Sequence, residues 1–180
     1  MKHLNINQNL IILFSMVVLA WKNNSTSCDN EGAKIVIFNC HSVKETQNLA
    51  KKLARNTGPG SVISLIGDLG TGKTTFTKGF ARQMGIKDHV TSPTFKLISE
   101  YQGEKYKLNH IDAYRMNGPE DFINIGGEEY LISKNSITII EWGDLLIDIL
   151  SSKIITVNFK RIKAPKESRK IKISGIEIVR

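Results

Sequence analysis

A glycine-rich loop between a short apolar strand and a helix constrains the fold of this chain more than any other feature. Residues 62–66 read Val-Ile-Ser-Leu-Ile, an apolar, β-branched run that is typical of a buried parallel strand. Residues 67–74 read Gly-Asp-Leu-Gly-Thr-Gly-Lys-Thr and fit the pattern G-x-x-x-x-G-K-[ST]. Residues 74–84 are predicted to form a helix that ends at Gly85. This order of elements predicts a P-loop that binds the phosphates of a nucleotide.

Each part of the loop has a predicted chemical task. The glycines Gly67, Gly70 and Gly72 allow positive φ angles, so that backbone N–H groups can converge on phosphate oxygens. We expect Lys73 to reach the β- and γ-phosphates and the hydroxyl of Thr74 to bind Mg²⁺. The alternative is a glycine-rich turn that binds nothing, and the flanking strand and helix make it the weaker interpretation.

Two acidic residues lie at the ends of predicted strands. Residues 136–140 form an apolar strand that ends in Glu141, which is the Walker-B arrangement for an acid that reaches Mg²⁺. Aspartate is commoner than glutamate at that position. Asp112 follows a predicted strand at 105–111, and we expect it to orient a water molecule or to polarise the metal shell. The alternative for Asp112 is an aspartate that caps a turn.

Two other features are compatible with more than one role. The segment 91–95, Thr-Ser-Pro-Thr-Phe, has three hydroxyls around a proline, and it is compatible with a switch that responds to a γ-phosphate or with an ordinary loop. His110 lies two positions before Asp112, so both side chains point to one side of a strand. Two interpretations of His110 remain open: a half-buried histidine with satisfied hydrogen bonds, or a catalytic histidine.

The nucleotide is predicted to be ATP. No Asn-Lys-x-Asp element occurs in the sequence, so guanine specificity has no visible source. The sequence also lacks an arginine-rich lid, which disfavours a P-loop small-molecule kinase, although we keep that activity as the alternative. A slow, Mg²⁺-dependent ATPase that switches a partner is the favoured class.

The element pattern predicts an α/β fold. A chain of 180 residues with 41% hydrophobic and 23% charged residues suits one globular domain. We expect a single P-loop NTPase-like domain, with a mainly parallel central sheet flanked by helices. An antiparallel hairpin at 96–111 adds to the sheet, and a helix is predicted to begin at Ser42 as its N-cap.

The first residues are predicted to be an extension. Residues 10–21 are almost wholly apolar, but this run is shorter than the roughly 20 residues that span a bilayer. A membrane tether, a signal and an extension from a wrongly chosen start codon all remain open, and we favour the last. We therefore divide the chain into an extension at 1–31 and an ATPase domain at 32–180. A cytoplasmic location without stable membrane insertion is expected, because ATP and Mg²⁺ are supplied inside the cell.

Positive charge is concentrated near the C-terminus. The chain carries a net charge of +8, and residues 153–180 contain nine Lys and Arg residues and two Glu, a net charge of +7. This charge is compatible with contacts to tRNA or to an acidic partner. The alternative is a pair of solvent-exposed edge strands that are protected by lysines. Cys28 and Cys40 have neither a disulfide framework nor a zinc-binding spacing.

Four motifs in this order resemble the TsaE family. They are residues 67–75, Thr-Ser-Pro-Thr-Phe at 91–95, His-Ile-Asp-Ala-Tyr-Arg at 110–115 and Ile-Glu-Trp-Gly at 140–143. The first 30 residues have no counterpart in the family. The resemblance implies a small P-loop ATPase of tRNA threonylcarbamoyladenosine biosynthesis. It also implies work with the TsaB and TsaD proteins on an adenosine beside the anticodon, with tRNA contacted indirectly or through the basic C-terminal segment.

The resemblance also implies roles for single residues. Asp112, Lys73 and Glu141 are the implied catalytic residues, and Thr74 with Glu141 is the implied Mg²⁺ site. Thr46 is implied on the adenine side, and Trp142 beside the nucleotide. The full implied ATP-binding set is Thr46, Gly67, Asp68, Leu69, Gly70, Thr71, Gly72, Lys73, Thr74, Thr75 and Trp142.

Overall fold

The fold is built on one mixed sheet. The computed structural model describes residues 25–28, 34–151, 154–163 and 168–175. Eight strands in these ranges have the order β1-β2-β8-β7-β3-β6-β5-β4. The strands are β1 (Ser25–Cys28), β2 (Lys34–Cys40), β3 (Val62–Ile66), β4 (Ile98–Gln102), β5 (Lys107–Asp112), β6 (Ser136–Glu141), β7 (Ile155–Arg161) and β8 (Arg169–Ser174).

The parallel strands lie in the middle of this sheet. Strand β3 pairs in parallel with β6 and β7, and β5 pairs in parallel with β6. All other pairings are antiparallel: β4 with β5 at one edge, and β7 with β8, β8 with β2 and β2 with β1 at the other. The predicted α/β fold and the predicted hairpin are confirmed. The sheet as a whole is mixed, because antiparallel strands extend the parallel core on both sides.

The two helices that the sequence predicts, one after Ser42 and one after the P-loop, are present together with shorter ones. They are α1 (Val43–Arg55), α2 (Lys73–Gln83), α3 (Pro119–Asn124) and α4 (Glu128–Ile132), with 3₁₀ helices at Ala113–Arg115 and Gly143–Ile149. Helix α1 begins after Ser42, whose Oγ accepts a hydrogen bond from the backbone N–H of Glu45 at 3.1 Å. The Glu45 carboxylate accepts from the N–H of His41 at 2.9 Å, so this N-terminus is capped from both sides.

Helices cover both faces of the parallel core. On one face α1 and α2 bury a cluster that includes Leu53, Phe76 and Phe80 against the sheet. On the other face Phe122 and Leu146 pack against β5 and β6. Strands that are covered on both faces are continuously apolar, which is the pattern by which the sequence predicts β3 and β6.

The carboxyl ends of the parallel strands meet at one edge of the sheet, and this edge positions the candidate site. Gly67 follows β3, Asp112 ends β5 and Glu141 ends β6. Asp112 and Glu141 are direct partners in the strand register, and Leu65 of β3 is opposite Glu141 on its other side. Ligands of open α/β sheets bind outside such carboxyl ends.

The N-terminal part of the chain is described only in part. Strand β1 belongs to the predicted extension at 1–31, yet Ser25 lies opposite Ile37 of β2, so the sheet continues past the predicted boundary. The apolar segment 10–21 lies outside the described residues. Within the described part of the chain, no helix is long and apolar enough to cross a bilayer. Cys40 is a free, buried thiol.

Candidate nucleotide-binding site

The loop after β3 has the backbone that the glycine pattern predicts. Gly67, Gly70 and Gly72 have φ angles of 145°, 73° and 109°. Residues with a side chain rarely adopt these φ angles, so the backbone conformation itself requires glycine at the three positions. Gly67 is restricted further, because a Cβ at that position would lie 2.5 Å from the carbonyl oxygen of Phe159 in β7. The loop therefore lies tightly against the end of the neighbouring strand, and α2 begins directly after it.

Lys73 is the first residue of α2, and its side chain extends into the loop. Its Nζ donates hydrogen bonds to the carbonyl oxygens of Gly67 and Asp68, the latter at 3.1 Å. The same ammonium lies 3.8 Å above the centroid of the Trp142 ring, within cation–π distance. Burial lowers the pKa of Lys73, an effect that nearby carboxylates, Glu141 first among them, partly oppose. The loop thus encloses a desolvated cation.

The hydroxyl of Thr74 meets the carboxylate of Glu141. Thr74 Oγ1 donates to Glu141 Oε2 at 3.0 Å, although the two residues are 67 positions apart. The other carboxylate oxygen, Oε1, lies 2.9 Å from Nε2 of His110. Glu141 is only 3% exposed. Hydroxyl and carboxylate oxygens are hard donors of the kind that Mg²⁺ prefers, so this pair fits the predicted metal.

Asp112 has two structural tasks at the same edge of the sheet. Its Oδ1 accepts from the N–H of Tyr114 at 3.1 Å, which is the turn-capping role that the sequence left open. Its Oδ2 accepts from the hydroxyls of Ser92 and Thr94, the latter at 2.8 Å. The segment 91–95 is therefore fixed to the end of β5, beside Glu141.

Trp142 has a strained backbone. It has φ 60° and ψ 38°, a left-handed conformation that bulky side chains rarely adopt. Its N–H donates to the carbonyl oxygen of Leu65 at 2.9 Å, and its ring lies 5.1 Å from that of Tyr114. Strain of this kind persists where the surroundings determine the geometry, commonly at functional sites. Here it places the indole beside Lys73.

Thr46, the residue implied on the adenine side, contacts Ser42 and Arg169. Its side chain is completely buried in α1, where Oγ1 donates to the carbonyl of Ser42 at 3.2 Å. Oγ1 also accepts a hydrogen bond from Nη1 of Arg169 at 2.9 Å. The Arg169 side chain in turn lies against the loop, since a Cβ on Gly72 would be 3.6 Å from its Cδ. Arg169 therefore lies beside both Thr46 and Gly72.

The remaining predicted loop residues differ in exposure. Leu69 is 74% exposed, and Asp68 is also exposed. Thr71 is buried and its hydroxyl donates to the carbonyl of Asp68 at 2.7 Å, which stabilises the loop internally. Thr75 is partly buried in the first turn of α2. The backbone and Thr71 thus shape the cradle, while Leu69 points away from the core.

Sequence reasoning missed two arginines that support the loop. Arg161 at the end of β7 donates from Nη2 to the carbonyl oxygen of Gly70 at 2.9 Å. Arg169 at the start of β8 is its direct partner in the strand register and lies beside Gly72. The sequence offered only the high charge of this segment as a signal, and charge alone suggests an external partner. Arg161 hydrogen-bonds the loop itself, whereas Arg169 lies beside Gly72 and donates to Thr46 in α1.

Comparisons with known proteins identify the family of this chain. The family model for the threonylcarbamoyl adenosine biosynthesis protein TsaE matches residues 40–171. The TsaE protein of Bacillus subtilis is 38% identical over 133 residues, which cover 74% of this chain and 81% of that protein. The TsaE protein of Rickettsia prowazekii is 37% identical over 121 residues, which cover 67% of this chain and 83% of that protein.

A solved structure has the same architecture. The crystal structure of Bacillus subtilis YdiB superimposes with a TM-score of 0.68 at 34% sequence identity, over 81% of this chain and 88% of that one. The family match includes the P-loop, the segment 91–95 and the ends of β5 and β6. The chain belongs to the TsaE family, and its role is in the biosynthesis of tRNA threonylcarbamoyladenosine.

Proposed function

We propose that this protein binds ATP with Mg²⁺ and hydrolyses it slowly when alone. In this proposal it acts in the cytoplasm with TsaB and TsaD to form the threonylcarbamoyl group on the adenosine next to the anticodon of tRNA. The observation that carries the proposal is the 3.0 Å contact between the Thr74 hydroxyl and the Glu141 carboxylate beside a P-loop lysine. Lys73 and Thr74 of the P-loop thereby lie close to Glu141, which is 67 positions from Thr74 along the chain, as a magnesium–triphosphate site requires.

The Lys73 ammonium is suited to phosphate binding because its present partners are weak competitors. It is buried and contacts two neutral carbonyl groups and an aromatic face. Phosphate oxygens are charged and form stronger hydrogen bonds with an ammonium than carbonyl oxygens do. We expect Lys73 to exchange these carbonyls for phosphate oxygens, while the backbone N–H groups of the loop bind the same anion.

Thr74 and Glu141 would hold the metal, and Asp112 would serve the hydrolytic step. A bound Mg²⁺ neutralises charge on the phosphoryl group as it transfers. Asp112 is suited to orient a water molecule because it is the register partner of Glu141. Its bonds to Ser92 and Thr94 offer a route from the phosphates to the segment 91–95.

The order of the strands suggests how the nucleotide lies across the sheet. Glu141 and Asp112 lie on β6 and β5, to one side of β3, whereas β7 and β8 lie on the other side. The γ-phosphate and metal therefore belong near β6, and the nucleoside end belongs toward Arg161 and Arg169. Among the described residues of the basic C-terminal segment, the exposed lysines are Lys160, Lys163, Lys170 and Lys172, and we propose these as groups available to tRNA.

The test combines binding and hydrolysis. Titration calorimetry with ATP and Mg²⁺, followed by phosphate release with and without TsaB and TsaD, should give binding, weak activity alone and altered activity in the mixture. The Lys73→Ala variant should lose binding. Absence of ATP binding by the parent protein would refute the proposal, and unchanged hydrolysis on mixing would refute the partnership. Transfer of the γ-phosphate to a metabolite would favour the small-molecule kinase instead.

A further inference from the structure

His110, which is not one of the predicted metal ligands, contacts Glu141, the acidic residue of the predicted metal site. His110 on β5 is completely buried, and its Nε2 lies 2.9 Å from Oε1 of Glu141. Glu141 uses its other oxygen, Oε2, to accept from Thr74. The two carboxylate oxygens of Glu141 thus have different partners: Oε1 contacts the His110 ring, and Oε2 contacts the predicted metal-binding hydroxyl of Thr74.

The second ring nitrogen indicates which atom carries the proton. Nδ1 of His110 is buried and has no hydrogen-bond partner among the residues that the structure describes. A proton on Nδ1 would leave a buried N–H donor unpaired, which costs free energy. The tautomer with hydrogen on Nε2 avoids that cost and donates directly to Glu141. The contact is therefore an N–H donor to a carboxylate, which keeps both carboxylate oxygens as acceptors.

We propose that His110 is a positioning residue that orients Glu141 for Mg²⁺ binding, an inference that rests on the proposed ATP site. A glutamate side chain has three rotatable bonds, and a single contact at Oε2 leaves part of that freedom. The bond from His110 to Oε1 fixes the plane of the carboxylate and directs Oε2 toward Thr74. Partners behind a metal ligand commonly contribute 10- to 100-fold in metal affinity, so an effect of about that size is expected.

A purely structural role for His110 makes a different prediction. A buried carboxylate needs a hydrogen-bond partner even in a protein that binds no metal. If His110 only satisfied the Glu141 carboxylate, loss of the contact would lower the stability of the protein and would affect nucleotide binding equally with and without Mg²⁺. Positioning instead predicts a defect confined to the Mg²⁺-dependent part of nucleotide binding.

Two amide variants separate these roles. The side-chain nitrogen of glutamine can occupy the place of Nε2, so His110→Gln retains a donor to Glu141. Asparagine is shorter by one methylene group, so His110→Asn cannot reach Oε1 although its polarity is the same. Binding of the non-hydrolysable analogue AMP-PNP is measured by calorimetry in EDTA and across a Mg²⁺ series, with circular dichroism as the check on folding.

We expect His110→Asn to bind AMP-PNP in EDTA within about twofold of the parent and to need roughly tenfold or more Mg²⁺ for half of the metal effect. His110→Gln should need within about threefold of the parental Mg²⁺ concentration. Parental Mg²⁺ dependence in the Asn variant, or equal defects in both variants, would overturn the proposal. A parent that binds no AMP-PNP in either condition would refute the ATP site itself and this inference with it.

A measurement on the parent protein decides the question if His110→Asn does not fold. Nitrogen-15 NMR of the four histidines, with His110 assigned from its absence in the Gln variant, reports the ring tautomer. We expect a proton on Nε2 and a change in that resonance when Mg²⁺ is added to the nucleotide complex. A proton on Nδ1, or no response to Mg²⁺, would contradict the proposal.

Discussion

Oγ1 of Thr94 donates a hydrogen bond to Oδ2 of Asp112 at 2.8 Å, and the hydroxyl of Ser92 donates to the same oxygen. The two hydroxyls flank Pro93, whose carbonyl accepts from the N–H of Leu97. Hydrogen bonds to a carboxylate are stronger than those between neutral groups. One carboxylate oxygen of the candidate site therefore holds the residues on both sides of Pro93.

Replacing Thr94 by valine should loosen this segment without changing its volume. The variant removes one charge-assisted hydrogen bond, which contributes about 1.5–3 kcal/mol. We expect amide hydrogen exchange at residues 92 and 94–97 to become about tenfold faster while exchange in α1 is unchanged. Thr94→Ser is the control, since it keeps the hydroxyl. Parental exchange rates in the valine variant would show that Thr94 does not hold the segment.

Replacing Thr74 by valine should remove the metal contribution to nucleotide binding. Valine has the shape of threonine but no oxygen, so the bond to Glu141 and the proposed Mg²⁺ ligand are lost together. We expect ATP affinity in Mg²⁺ to fall by about tenfold or more. Titration calorimetry in Mg²⁺ and in EDTA measures the effect.

The serine variant tests whether the hydroxyl is responsible. Thr74→Ser retains the oxygen and should bind within about threefold of the parent. In EDTA the valine variant and the parent should be nearly equal. An equal loss for Thr74→Val in EDTA and in Mg²⁺ would assign the effect to α2 rather than to metal binding.

Lys73 should make the stability depend on pH in a defined direction. Burial lowers its pKa from the ordinary 10.5, so between the lowered pKa and 10.5 the unfolded chain binds more protons than the folded protein. The Lys73 contribution to the free energy of unfolding therefore rises with pH through this window. Lys73→Met has a similar length and does not titrate.

Urea unfolding of both proteins at about pH 7.5 and at about pH 10 measures this contribution. We expect the free energy of unfolding of the parent, relative to Lys73→Met, to be higher at about pH 10 than at about pH 7.5. Other titrating groups occur in both proteins and largely cancel in the difference. A difference that is constant or falls with pH would show that burial does not dominate at Lys73.

The strand ends and the loop could be predicted because their signals are local. The register of β5 and β6 then follows from parallel pairing, which places Asp112 opposite Glu141. The insertion of β8 between β2 and β7 has no local signal, since pairing between strands distant in sequence depends on tertiary packing. The position of Arg169 beside Gly72 follows from that insertion, and the contact of Arg161 with Gly70 follows from the pairing of β7 with β3, so neither could be anticipated.

His110 shows a second limit of sequence analysis. Its position two residues before Asp112 correctly places both side chains on one face of β5, but it does not identify a partner. The partner, Glu141, comes from the neighbouring strand and the distance of 2.9 Å depends on side-chain geometry. Thr46 is similar, since the family resemblance implies a role for it but does not identify the arginine that it contacts.

The close approach of the P-loop to β7 makes Gly67 intolerant of any side chain. Alanine there would combine a φ of 145° with a Cβ 2.5 Å from a backbone carbonyl oxygen of Phe159, which cannot rotate away. We expect Gly67→Ala to lower the free energy of unfolding by about 2 kcal/mol or more and to abolish nucleotide binding. Gly58→Ala is the control, since no atom lies within 4 Å of its Cβ position, and it should change stability by less than about 0.5 kcal/mol. Urea unfolding gives both values, and equal stability of the two variants would show that the loop can move away from β7 at little cost.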